Sequence, residues 1–190
     1  MSRVDISSDP RSPLQGVALP DIARELPFLT QINVRGAPAA VTPAAAGVLG
    51  FHLPYEPNTV ATEGDLAALW LGPDEWLVVG PAGRETELEG SLRVALTAAG
   101  GSVVDVSANR TTIELRGDDA RAILESGCTL DLDPRAFGPG ACAQTLVARV
   151  PVILWQTVAQ PEPTCRLLVR PSFAAYVAAW LGDAAEAEVD

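Results

Sequence analysis

Residues 66–79 read LAALWLGPDEWLVV. Two apolar runs, 66–71 and 76–79, flank Gly72-Pro73-Asp74-Glu75. Proline presets the second position of a β-turn and aspartate suits the turn beside it, so the chain reverses here. Short apolar runs bounded by turn formers are strands. The stretch therefore predicts a β-hairpin, and with it an antiparallel sheet.

The pattern extends in both directions. Toward the C-terminus, Leu88, Leu92, Ala95, Leu96 and Ala99 share one helical face before Gly100-Gly101 stop the helix. Toward the N-terminus, residues 29–35 (LTQINVR) alternate as a half-buried strand does. Residues 38–50 (PAAVTPAAAGVLG) predict a helix, with Thr42 as N-cap and Pro43 at its first position. Beyond the hairpin, residues 102–106 and 111–116 read as a second strand–turn–strand unit around Ser107-Ala108-Asn109-Arg110. A short helix follows, capped by Asp118, with Ala122 and Ile123 inward and Gly127 at its close. Residues 129–142 (TLDLDPRAFGPGAC) are rich in turn formers and read as a connection. Strands are expected at 144–149 and 152–158, divided by Pro151, and at 167–169 after the Gln160-Pro161-Glu162-Pro163 turn. Ser172 opens a last helix with Phe173, Tyr176, Val177, Trp180 and Leu181 on one stripe, and Gly182 closes it.

Helices alternating with antiparallel pairs indicate an α+β sandwich of two ferredoxin-like, split βαβ lobes. The expected organisation is a flexible arm at 1–15, one compact two-lobed domain at 16–182 with lobes 16–100 and 101–182, and an acidic tail at 183–190. The arm reads either as a frayed terminus or as a segment that wraps a partner.

Composition narrows the function. The 190 residues are 48% hydrophobic and 19% charged, enough for a core without disulfides or metal. No apolar run approaches the roughly 20 residues that cross a bilayer, and the first residues lack the apolar centre of a signal peptide. A cytoplasmic protein is expected. With 13 basic against 24 acidic residues and a net charge of −11, nucleic acid and anionic membranes are poor partners. Every basic residue is arginine. The absence of lysine excludes Schiff-base chemistry, a lysine nucleophile and a GxxxxGK phosphate loop. The bias reflects either genome composition or guanidinium groups serving a protein interface.

Few groups remain for catalysis. His52 is the single histidine and sits between turn-forming residues, which speaks for a loop or packing role and against zinc. Cys128, Cys142 and Cys165 form no CxxC and read as reduced, partly buried thiols. Cys142 becomes reactive only if positive charge such as Arg135 or Arg149 stands nearby. Asp74 and Glu75 lie on a hairpin crest, where water keeps carboxylates ionised. Asp131 and Asp133 supply two carboxylates, too few for a hard-cation loop. Asp105 and Arg110 flank a turn and suit a stabilising ion pair. Trp70 and Trp76 read as core or as partner anchors. No nucleophile–base set, GxSxG, GxGxxG or HExxH is present. Chemistry alone points to a binding or scaffold subunit.

Several segments together resemble the gamma subunit family of heterotetrameric sarcosine oxidase. They are RSPL at 11–14, LWLGPDEWL at 69–77, VVDVS at 103–107, Arg110-Thr111, GDDAR at 117–121, Gly127-Cys128, LDL at 130–132, Phe137, Gly140, Gln144-Thr145, RPSFA at 170–174 and Trp180-Leu181. The resemblance implies a truncated relative of the folate-binding aminomethyltransferase (T-protein) fold. It implies a complex that oxidatively demethylates sarcosine to glycine and hydrogen peroxide, passing the one-carbon unit to tetrahydrofolate. It places FAD, FMN, NAD, zinc and tetrahydrofolate on the alpha, beta and delta subunits, and leaves this chain a non-catalytic component with no catalytic, cofactor-binding or metal residue. Arg11 and Leu14 of the arm, with Trp70 and Trp76, become candidate partner contacts. Two other readings stand beside this one. The first is a free-standing folate-binding or aminomethyl-transferring enzyme. The second is a folate-dependent iron–sulfur maintenance protein, for which Gly140-Ala141-Cys142-Ala143-Gln144 keeps a cysteine near a glutamine but lacks the lysine.

Overall fold

The apolar runs around Pro73-Asp74 form strands β4 (Leu66–Gly72) and β5 (Glu75–Gly80) in the computed structural model, which describes residues 10–158 and 162–187. The two strands pair antiparallel, with Leu69 opposite Leu77 and Trp70 opposite Trp76. Both faces of this hairpin are covered. Leu66, Ala68, Trp76 and Val78 pack under helices α1 (Pro38–Leu49) and α2 (Glu85–Thr97). Ala67, Leu69, Leu77 and Val79 pack against the other sheet, on Cys142, Ile153, Trp155 and Leu168. A strand sends successive residues to opposite faces, so one covered on both reads as an unbroken apolar run.

The remaining strands are β1 (Ala23–Leu26), β2 (Thr30–Arg35), β3 (Val60–Glu63), β6 (Ser102–Asp105), β7 (Thr111–Arg116), β8 (Cys142–Val147), β9 (Val150–Val158) and β10 (Thr164–Val169). Helices α3 (Asp119–Glu125) and α4 (Pro171–Ala187) complete the elements. One antiparallel sheet runs β3-β4-β5-β2-β6 and the other β1-β7-β10-β9-β8. Helices α1 and α2 cover the outer face of the first sheet, α3 and α4 that of the second. The result is a sandwich of helix, sheet, sheet and helix layers, in agreement with the expected α+β class.

The two halves of the chain repeat one topology. The first runs β1-β2-α1-β3-β4-β5-α2 and the second β6-β7-α3-β8-β9-β10-α4. In each, the leading strand crosses to the other sheet: β1 pairs with β7, and β6 pairs with β2. Each sheet is thus a ferredoxin-like arrangement with one added edge strand, β3 or β8, and with its last strand supplied by the other half. The lobes therefore do not divide at residues 100 and 101, because β1 belongs to the second sheet and β6 to the first.

That exchange corrects the expected strand–turn–strand unit at 102–116. Strands β6 and β7 lie in different sheets, joined by a single 3-10 turn at Ser107–Asn109. Buried Gln31 pins the crossing: its N–H donates to Ser107 Oγ (2.9 Å), its side chain to the Arg110 carbonyl (2.8 Å), and its carbonyl accepts from Val106 (2.8 Å). Asp105 caps this turn through Ser107 N (2.9 Å) and Oγ (2.6 Å) instead of pairing with Arg110.

Other expectations shift along the chain. Helix α1 starts at Pro38, so Thr42 is a buried helical residue and Pro43 lies inside the helix. Pro38 is tolerated because the first helical N–H has no partner to lose. Asp118 precedes α3 but makes no side-chain cap. The turn between β8 and β9 is Ala148-Arg149, both at positive φ (49° and 71°), and Pro151 lies within β9. Helix α4 takes in Ser172 and continues through Gly182 to Ala187, so the described part of the acidic tail is helical. Of the expected arm, residues 1–9 lie outside the described residues. The rest is tied down: Ser12 donates to the Glu25 carboxylate, and Leu14 enters the core under α3 and α4 at 4% exposure.

Candidate functional site

Among the described residues, the inner face of the second sheet carries the one buried ion cluster. On β7, Ile113 and Leu115 turn to the helix side, which sends Glu114 toward the other sheet. Its side chain is 2% exposed. Three strands answer it with guanidinium groups: Arg24 of β1 (Nη2, 2.7 Å), Arg116 of β7 (Nη2, 2.7 Å) and Arg166 of β10 (Nε, 3.0 Å). Burial pushes the Glu114 carboxyl up, but hydrogen bonds from Arg116, Arg166 and Arg24 together outweigh it and hold the group below its usual range. Arg166 also lies 5.1 Å over the Trp155 ring, which fixes its plane. The cluster opens onto a cleft of about 560 Å³ between the sheets, with Leu29, Ala67, Val79 and Trp155 on its walls. A carboxylate saturated by three cations transfers no proton at neutral pH. The arrangement clamps β1, β7 and β10 together.

The residues singled out in the sequence fall elsewhere. Cys142 is fully buried; its Sγ donates to the carbonyls of Thr59 and Trp70 at 3.5 Å, and burial pushes the thiol up to about 11. Arg135 does not approach as an activator, because it is held by Asp133 through Nε and Nη2 at 2.9 Å. Cys165 is pushed up to about 12 by burial and by Glu114, and all three cysteines are free and buried. Cys142 and Cys165 are thus held as thiols at neutral pH by their burial.

Asp133 sits low, at about 2, because Arg135 donates to it from both side chain and backbone, while Asp131 accepts from the Asp133 N–H at 3.0 Å. The two aspartates cap a turn. No group of three or more metal-ligating side chains occurs among the described residues. His52 is exposed on the loop after α1. Asp74 and Glu75 are partnered by Arg35 (3.5 and 3.7 Å), and Glu75 also accepts from Asn33 (2.8 Å).

Of the candidate partner contacts, Arg11 is exposed and Trp70 half-buried. Leu14 and Trp76 are spent inside the chain: Trp76 is wholly buried, and its indole N–H donates to the Pro54 carbonyl at 2.7 Å. The Glu114 cluster is the feature that sequence reading passed over. The signal was present in TTIELR, where alternation sets Glu114 on the face opposite Ile113 and Leu115. What was missing was the identity of the facing strands.

A two-sheet α+β molecule of this topology falls in a known structural class. Its fold is like that of the glycine cleavage system aminomethyltransferase T from Bartonella henselae (TM-score 0.63, 14% identity, 84% of this chain and 44% of that one). A match of that identity speaks for the fold alone. Residues 35–188 match the sarcosine oxidase, gamma subunit family, and the chain belongs to it. It is 41% identical over 165 residues to the sarcosine oxidase subunit gamma of Arthrobacter sp, covering 86% of this chain and 79% of that one. It is 43% identical over 164 residues to its counterpart from Corynebacterium sp. (strain P-1), covering 85% and 78%. Among solved structures it matches the heterotetrameric sarcosine oxidase from Corynebacterium sp. U-96 in complex with pyrrole 2-carboxylate (TM-score 0.83, 34% identity, 92% and 94% coverage).

Proposed function

We propose that this chain is the non-catalytic structural gamma subunit of a sarcosine oxidase, packed against alpha, beta and delta subunits that carry FAD, FMN, NAD, zinc and tetrahydrofolate. The complex would demethylate sarcosine oxidatively to glycine and pass the one-carbon unit to tetrahydrofolate. Family membership supports the assembly. The observation that carries the non-catalytic role is the state of the buried ionisable groups. Glu114 is saturated by guanidinium groups, and Cys142 and Cys165 are pushed far above neutral pH. A general base or nucleophile must be poised near working pH, and these groups are held away from it. Arg11 and the exposed part of Trp70 are proposed as partner contacts. A cytoplasmic location fits this role, and no helix among the described residues is long and apolar enough to cross a membrane.

The test is co-expression with the companion subunits. The chain is expected to purify in stoichiometric amount with a flavin-coloured complex, and by itself to be colourless and without sarcosine-dependent peroxide formation. Turnover or bound flavin in the isolated chain would overturn the reading.

A further inference from the structure

Apart from the three arginines around Glu114, a pair of guanidinium groups, Arg110 just before β7 and Arg170 just after β10, stands at a separate place. Arg110 and Arg170 line one pocket of about 340 Å³, together with Gln144, Leu146, Pro151 and Ile153. No carboxylate among the described residues lines it. Arg110 is half-buried, and among the described residues neither arginine makes an ion pair. Burial first, and then Arg170, pull the Arg110 guanidinium below its usual value, with Glu75 opposing. Arg170 is exposed, so the cost falls on Arg110, a half-buried cation facing a second cation, and it is relieved when an anion joins them.

The wall of the pocket beside the arginines is apolar: Leu146 of β8, 51% exposed, lines it with Pro151 and Ile153. Arginine beside exposed apolar surface is a composition found at protein–protein interfaces.

We infer that the Arg110–Arg170 pocket, with Leu146 on its wall, receives an acidic segment of a companion subunit, one carboxylate seated between the two guanidinium groups and an apolar neighbour against Leu146. This inference rests on the subunit reading above and adds the chemistry of the partner. The charge complementarity is local: the chain as a whole carries −11, so an acidic segment is repelled by most of the molecule and admitted here.

The test uses the full chain and its co-expressed companion subunits. Arg170→Glu places a carboxylate beside Arg110. The isolated variant should therefore melt at or above the wild-type temperature, while its affinity for the companion subunits falls about tenfold or more. Arg170→Gln should weaken assembly by less than Arg170→Glu, and raised salt should weaken the wild type toward the Gln variant. An Arg170→Glu chain that assembles within about threefold of wild type would refute the inference. So would one that loses thermal stability together with assembly, because the defect would then lie in folding. Failure of the wild-type chain itself to assemble would bring down the subunit reading, and this inference with it. Wild-type assembly with an indifferent Arg170→Glu would bring down this inference alone.

Discussion

Glu114 shows how much can depend on one side chain. Its carboxylate joins three strands, and its partners Arg24, Arg116 and Arg166 are 55%, 41% and 27% exposed. Because those arginines reach water, Glu114→Gln leaves no fully buried cation behind. The expected loss is about 2–3 kcal/mol, the range for charge-assisted hydrogen bonds, and less than removing one member of a wholly buried pair. Urea unfolding checks this: the midpoint should fall with the slope unchanged. The pH dependence has a definite sign. The folded carboxyl lies below its ordinary value, so its stabilisation is present in full above the unfolded pKa of roughly 4.3. It is lost as pH falls through the folded value. The gap between wild type and Glu114→Gln should therefore be widest at neutral pH, begin to narrow below the unfolded value of roughly 4.3, and close once pH has passed below the folded value. A gap that persisted at lower pH would show that the Gln variant loses packing, not charge pairing. Sequence alternation placed Glu114 on the correct face, but two of its three partners come from β1 and β10, and pairing across distant segments is not written in any one of them. Arg110 and Arg170 were hidden for the same reason.

At the scale of single elements, legibility followed local chemistry. The β4–β5 hairpin was clear because Pro73-Asp74 dictates the turn and both flanks are apolar. Helix α2 was clear because Leu88, Leu92 and Leu96 recur on one face, and all three are buried. Strands β1 and β3 escaped notice: each is four residues long, at a sheet edge and at most half-buried, so neither shows an apolar period. The β8–β9 turn misled in the opposite way. Pro151 reads as a divider, yet it lies one residue beyond the last pairing with β10, Val169 opposite Val152, and only β8 flanks it there. The chain reverses instead at Ala148-Arg149, where left-handed backbone is imposed on two residues that do not favour it. Arg149 is exposed, so Arg149→Gly removes strain without removing packing. It should raise stability by about 0.5–1 kcal/mol despite glycine's extra freedom in the unfolded chain, read as a higher urea midpoint. An unchanged or lowered midpoint would mean that the arginine side chain contributes more than its backbone costs.

For the molecule as a whole, the exchange of β1 and β6 decides what kind of unit this chain is. Composition and periodicity identified two lobes, but a cut between residues 100 and 101 leaves each lobe without a strand of its sheet. A fragment of residues 1–100 keeps β2–β5 with no β6 beside β2, and carries β1 with no β7 to receive it. A fragment of residues 101–190 is deficient in the mirror-image way. Each would also expose the apolar face that the sheets share, formed by Leu69, Leu77, Ile153 and Leu168. Unpaired sheet edges and uncovered apolar faces drive association. Neither fragment alone should unfold cooperatively, and each should aggregate. Co-expressed, they should recombine into one particle with a single thermal transition, because strand pairing and the shared core supply contacts that the covalent link does not. If either fragment folded alone with a sharp transition, the exchanged strands would be dispensable, and the chain would be two tethered domains. Recombination would instead establish that the lobes form one cooperative body. A rigid body of that kind is what the proposed role requires, since a subunit that acts by fitting against others must hold its surface residues, Arg110 and Arg170 among them, in fixed relation.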